Sequence, residues 1–218
     1  YAAEDVLYLE DIYFSLTKDL ALFKKLEWFL EEMDRLVRPE EFPPEKYYLR
    51  LKGAWNLTDR KLSYLQAACQ WREELARQLD LPRVRVASDS ELLELSRGEL
   101  LGFEEITAVI RSRVARSSIN VLLSKLDGYK LRSPKERSAS PLVSGDRKLL
   151  KKMQTYAHQK ARRMSMAPEL LGRKRDLEQC IRTFDANANL SEIFLGWRKE
   201  IVGNDFSRML SDHFGHAA

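Results

Sequence analysis

At 218 residues, with 44% hydrophobic and 32% charged side chains, the chain can bury a sizeable core as one or two domains. It holds no run of about 18 apolar residues, so no membrane-spanning helix is expected, and no basic stretch leading into an apolar one marks a signal peptide. The formal net charge of +4 conceals a polarised chain: residues 1–45 carry 5 Lys/Arg against 12 Asp/Glu, whereas residues 130–175 carry 14 against 3.

Clustered cations attract a polyanion, so the basic middle points to nucleic acid more than to a merely solvated helix face. Cys69 and Cys180 lie far apart inside helical patterns, with neither disulfide nor metal-ligand spacing, and are expected in the core of a protein from a reducing compartment. The chain starts at Tyr1 rather than Met, so it is expected to be cut from something longer.

With nine Gly and seven Pro in all, long helices are expected almost throughout. "DVLYLEDIYFSL" opens as an amphipathic helix. "LALFKKLEWFLEEMDRLV" reads as a second, unbroken one, with Leu22, Leu26, Phe29, Met33 and Leu36 on one stripe. Pro39, Pro43 and Pro44 in "RPEEFPPEKYY" then interrupt the pattern, because proline is not accommodated in a helix interior, and set a first boundary near residue 40.

In "WNLTDRKLSYLQAACQWREELARQLDLPR", Thr58 is placed to cap a helix. Leu62, Leu65, Cys69, Arg72 and Ala76 follow at helical spacing until Leu81-Pro82. "SDSELLELSRG" predicts another helix, with Ser88 or Asp89 as cap and Gly98 as stop. "GFEEITAVIRSRVARSSINVLLSKLDG" supplies one or two more. The polar, basic "YKLRSPKERSASPLVSGD" reads as a linker over 129–146, expected to be the most mobile internal segment and open to proteolysis near Lys135 or Arg137.

Beyond it the helical pattern repeats at an offset of about 85 residues. Leu65 aligns with Leu150, Ala68 with Met153, Trp71 with Tyr156, Ala76 with Ala161, Leu79 with Met164, Leu81 with Met166, Val86 with Leu171 and Leu92 with Leu177. Helical periodicity explains part of this match. A break at Pro82 in one copy and Pro168 in the other is harder to obtain by chance.

The opening string "YAAEDVLYL" sets Tyr1 and Asp5 four apart, on one face of a helix. A carboxylate there can bind a hard divalent cation and a phenol can orient a metal-activated water, although the bare pair is common on helices. The whole string resembles the third exonuclease motif of the DEDD family in its tyrosine form, and most closely the ribonuclease D family. That resemblance implies Asp5 as a metal ligand and Tyr1 as the group orienting the attacking water. It also implies two divalent metal ions (Mg2+ or Mn2+) in a full-length site and hydrolysis of RNA from its 3′ end. The family's first two motifs, with three more acidic residues, are not found downstream.

"LQAACQWREELARQLDLPRVRVASDSELLEL" in the first copy, and "APELLGRKRDLEQCIR" with "GWRKEIVG" in the second, resemble tandem helicase-and-ribonuclease-D C-terminal (HRDC) domains. The resemblance covers nearly the whole chain and implies an all-α fold. Its expected divisions are the end of an exonuclease domain over 1–40, a first HRDC-like bundle over 41–128, the linker over 129–146 and a second bundle over 147–218. It further implies a cytoplasmic, monomeric protein whose partner is RNA: transfer RNA precursors and small structured RNAs with a 3′ tail.

The candidate RNA face comprises Lys148, Lys151, Lys152, Arg162, Arg163, Arg173, Lys174 and Arg175, with a second patch at Arg111, Arg113 and Arg116. Cations without interleaved exposed aromatics suit phosphates better than base edges, so sequence-blind binding is expected. Trp71 and Trp197 are expected to fill cores rather than stack on bases. His158, His213 and His216 form neither a metal set nor a triad, and the last two are expected in a frayed tail. Two functions stay open: part of a 3′ to 5′ exoribonuclease, or a non-catalytic nucleic-acid-binding module of a RecQ-like helicase or RNA-processing adaptor.

Overall fold

The computed structural model describes residues 6–37, 42–98, 102–129, 134 and 136–215; Tyr1, Asp5, Lys135 and His216 lie outside them. In chain order the α-helices are α1 (Leu9–Leu22), α2 (Leu26–Leu36), α3 (Asp59–Gln78), α4 (Arg83–Val86), α5 (Asp89–Arg97), α6 (Phe103–Val109), α7 (Ile119–Tyr129), α8 (Ser144–Arg163), α9 (Pro168–Leu171), α10 (Lys174–Asn187) and α11 (Asn204–Phe214). No strand occurs among the described residues, so the fold is all-α. None of these helices is long and apolar enough to cross a membrane. The chain forms two compact units, residues 40–140 and residues 1–39 joined to 141–218.

In the 40–140 unit, Pro44 opens a short 3-10 turn, Pro44–Arg50, which buries Tyr47 and Tyr48. α3 follows from Thr58, which occupies the cap position without a side-chain cap bond. Its apolar stripe forms the centre of the core, with Leu62, Leu65, Cys69 and Trp71 at 0–1% exposure. Burying an aliphatic side chain of this size contributes about 1.5–3 kcal/mol. Trp71 also places its indole N–H 3.1 Å from the Ser118 carbonyl, just ahead of α7. α5 starts with a capping box, which places the cap on Ser88 rather than Asp89: the Ser88 hydroxyl accepts from the Glu91 N–H at 3.3 Å, and the Glu91 carboxylate accepts from the Ser88 N–H at 2.7 Å.

The second half repeats this layout. α8 begins 85 residues after α3 and is equally 20 residues long. α9, α10 and α11 start at the same offset from α4, α5 and α7. The turn that ends each long helix is also duplicated. Asp80 and Ser165 adopt left-handed φ values of 50° and 49°. Behind them the Leu81 and Met166 N–H groups reach back to the Ala76 and Ala161 carbonyls, both at 2.9 Å. Leu65 and Leu150, Val86 and Leu171, and Leu92 and Leu177 are buried in both copies.

Three expectations are corrected. The stretch from Leu20 to Val37 is not one helix: Lys24 takes a left-handed φ of 55°, and the Lys25 N–H closes on the Leu20 carbonyl at 2.8 Å, reversing the chain between α1 and α2. Within the 129–146 segment, Glu136 and Arg137 are held rather than loose. Glu136 pairs with Lys46 at 2.6 Å and accepts from the Tyr48 hydroxyl at 2.8 Å through its carbonyl, while Arg137 donates to the Leu57 carbonyl at 2.9 Å and pairs with Asp59. Residues 144–146 already belong to α8. His213 is likewise no frayed residue, since it lies in α11 and bonds Asp146 of α8 at 2.9 Å.

The reversal at Lys24 lets α2 clamp the second repeat within one unit. Trp28 stacks on Trp197, with ring centroids 5.0 Å apart and planes at 12°. Glu32 pairs with Arg198 and accepts from the Trp197 indole N–H at 3.0 Å. Glu31 accepts from the Trp197 backbone N–H at 3.3 Å, while Lys25 donates to the Met164 carbonyl at 2.7 Å, at the C-terminus of α8. Gly196 lies beneath Glu31 at φ +56°, where a Cβ would collide with that carboxylate.

The Arg198 hydrogen bond holds the Glu32 carboxyl below its ordinary value of 4.5, against an opposing upward push from burial. A depressed carboxylate pKa stabilises the fold fully above the unfolded value and loses that contribution as pH falls through the folded one. The clamp is therefore expected to hold at neutral pH and to weaken in acid below about pH 4.5. Glu32→Gln should cost about 1.5–3 kcal/mol at pH 7 and flatten this acid limb, read from hydrogen exchange along α2. An acid limb unchanged in the variant would assign the pH dependence to other groups.

Candidate nucleic-acid interface

α8 is amphipathic. Leu149, Leu150, Met153, Ala157 and Ala161 face the core, leaving the opposite side to solvent. On that side Lys148, Lys151, Lys152, Thr155 and Gln159 recur at helical spacing and border a depression of about 450 Å³, with Met209 of α11 at its edge. Lys151, Thr155 and Gln159 also border a groove of about 720 Å³ that continues past His158 and Arg162 to Met166 and Pro168. One helix therefore carries a continuous polar and cationic surface.

Of the expected site residues, the structure brings Lys148, Lys151, Lys152 and Arg162 together on this face. Arg163 is exposed on the next position of α8 but borders neither space. Arg173, Lys174 and Arg175 stand apart at the start of α10, all exposed. There the Arg173 N–H donates to Asp176 at 3.2 Å, and Lys174 lies 3.7 Å from Glu178. The local ion pair leaves Lys174 less available to a phosphate. Arg111, Arg113 and Arg116 belong to the other unit and are exposed before α7, with the Arg111 backbone N–H on Glu91 at 3.0 Å.

Residue-type counting missed Gln154, Thr155, His158 and Gln159, whose hydrogen-bonding groups fill the intervals between the cations. Their signal was positional: they share the α8 face opposite the buried stripe. Trp71 is buried as expected, whereas Trp197 is half-buried, packing on Trp28 at the wall of a cavity rather than inside a core. Both cysteines are buried and free, and burial pushes the Cys69 thiol up to about 12 and the Cys180 thiol up to about 11, which makes them poor nucleophiles at neutral pH.

This helical layout is shared with known proteins. The HRDC domain family matches residues 61–99, from α3 to just beyond α5. Ribonuclease D of Pseudomonas paraeruginosa is 30% identical over 213 residues, covering 93% of this chain and 56% of the relative. That of a Shewanella species is 28% identical over 220 residues, covering 96% and 56%. The crystal structure of Escherichia coli RNase D matches with a TM-score of 0.78 and 25% identity, over 97% of this chain and 59% of that one.

The chain is similar to ribonuclease D along nearly its whole length. It spans a little over half the length of these ribonuclease D relatives, 56% in both curated cases. The Escherichia coli protein is described as an exoribonuclease involved in structured RNA processing. Among the described residues of this ribonuclease D-like chain, no three His, Cys, Asp or Glu side chains converge in a metal-binding group.

Proposed function

We propose that this chain is the RNA-holding portion of a ribonuclease D-like exoribonuclease, and that the exposed face of α8 carries the phosphate contacts. The observation behind this reading is the continuous surface from Lys148 to Arg162, on a chain similar to ribonuclease D over nearly its full extent. Cations spaced along one rigid helix neutralise successive phosphates, while Gln159 supplies a donor and an acceptor and the Thr155 hydroxyl, which donates to the Lys151 carbonyl at 2.9 Å, keeps an acceptor for a 2′-hydroxyl. Base edges are not required, so binding is expected to tolerate sequence.

In this reading the enzyme works from the 3′ end on transfer RNA precursors and other small structured RNAs, in the cytoplasm and as a monomer. Asp5 is a ligand to one of two divalent metal ions of a tyrosine-type DEDD site, and Tyr1 orients the water. A two-metal site needs several carboxylates. The described residues supply no such group, so the metal chemistry does not fit the described part of this chain, and no catalytic step is assigned to it. A second reading, a non-catalytic module of a RecQ-like helicase or adaptor, draws on the HRDC match at 61–99. The match to Escherichia coli RNase D over 97% of the chain favours the first.

The test is a salt titration of RNA binding by the 218-residue chain. Replacing Lys151, Lys152 and Arg162 by Ala is expected to reduce the slope of log K against log salt by about 2, at roughly 0.7 per phosphate contact on a single strand, with little change in sequence preference. Replacing Arg173, Lys174 and Arg175 should change it less, because of the Lys174–Glu178 pair. An unchanged slope in the first variant removes α8 as the RNA face.

A further inference from the structure

Met166 lines both the α8 groove and a cavity of about 500 Å³ bordered by α1, α2 and the second repeat. Their linings differ in the side chains they present. The groove is bordered by Lys151, Gln154, His158 and Arg162, whereas the cavity wall carries Phe23, Trp28, Phe29 and Trp197, with the exposed Arg173 at the start of α10 also on its lining.

We propose that this cavity takes one unstacked base of a single-stranded RNA whose phosphates run along the α8 groove. The inference rests on the reading of α8 as the RNA face and adds a base subsite to it. Three observations carry it. A cationic track with an aromatic-lined space beside it is the arrangement by which single strands are held, phosphates on cations and base faces on rings. The volume lies within the roughly 300–1,000 Å³ of small-ligand pockets, and so suits a flat heterocycle better than a folded partner. Charge is also compatible: the Glu32 carboxylate on the wall is paired with Arg198, Arg173 stands ready for a phosphate, and Asp19 offers an acceptor to an exocyclic amino group. Every base has a π-face, so such a subsite keeps binding sequence-tolerant while distinguishing a free strand from a duplex, whose bases are stacked.

The test compares a short oligoadenylate with an abasic oligomer of the same length and charge, both titrated against the 218-residue chain with the anionic, amphiphilic dye 8-anilinonaphthalene-1-sulfonate bound, the fraction lost in Ala167→Phe being assigned to the cavity. The intact RNA should bind about tenfold more tightly, in line with the stacking contribution of a base, and displace the dye. The abasic oligomer should bind with the same salt slope and leave the dye in place. Ala167→Phe, which fills the cavity from its lining, should bring the two oligomers within about twofold; Lys151→Ala with Arg162→Ala should lower the salt slope yet preserve the difference between them.

Equal affinity of the two oligomers with a groove-dependent salt slope would overturn the base subsite and leave the RNA face standing. A salt slope indifferent to the groove variants overturns both. Dye that stays bound while intact RNA associates makes the cavity a site for another apolar ligand and likewise overturns the proposal.

Discussion

Arg72→Ala is expected to destabilise the 40–140 unit by about 3–5 kcal/mol, the cost of breaking a buried ion-pair network by removing one partner. Arg72 is 1% exposed in the middle of α3. It donates to Asp89 at 2.6 Å, to Glu73 at 3.1 Å and to the Ala87 carbonyl at 3.4 Å, tying α3 to the first residue of α5 and to the turn before it. Its loss strands Glu73, which is 5% exposed, with the Arg83 guanidinium 3.7 Å away.

Lysine should not rescue the variant, because a point charge cannot satisfy three acceptors lying in different directions. Arg72→Met combined with Glu73→Leu should recover part of the loss, since it removes the stranded charge as well. Urea unfolding followed by hydrogen exchange would read this unit by unit. The second repeat should be untouched, because the position 85 residues on is Ala157. A loss below about 1 kcal/mol would show the network to be dispensable.

The second large effect concerns Asp5. In a protein joining this chain to a segment that bears the other three acidic residues of the motif set, Asp5→Asn is expected to reduce RNA hydrolysis by about a hundredfold or more. Losing a ligand removes several kcal/mol of charge stabilisation at the reacting phosphate. Tyr1→Phe should slow turnover by a smaller factor. Neither change should alter RNA affinity or its salt dependence, because the proposed phosphate contacts lie on α8. The 218-residue chain alone is expected to show no exonuclease activity with either Mg2+ or Mn2+, since one carboxylate does not hold two metals. Wild-type hydrolysis by Asp5→Asn would reduce the opening motif to a coincidence of helix spacing.

α1 has the pattern of a helix with a face to bury, and in this chain, which spans a little over half the length of its relatives, Leu9, Ile12, Tyr13, Phe14 and Leu16 are 49–61% exposed. The Lys24 reversal and the Glu32–Arg198 clamp carry no local signal. Lysine is an ordinary helix residue, and its left-handed conformation persists because α2 gains its contacts with Trp197, Arg198 and Met164 from that reversal.

By itself the sequence determined the helical class, the duplication, the breaks at Pro82 and Pro168, a helix start capped at Ser88 or Asp89 and the location of the cations along the chain. All of these follow from periodicity and backbone chemistry within a few turns. Only the tertiary structure decided which cations share a face, that Arg72 enters a core network, that Arg137 is held on its own unit, and that α2 grips the second repeat. These depend on contacts between residues 15 to 166 positions apart, such as Arg72 with Ala87 and Glu32 with Arg198. Local periodicity places a side chain on one face of its helix, but the partner that face meets is chosen by packing the whole unit.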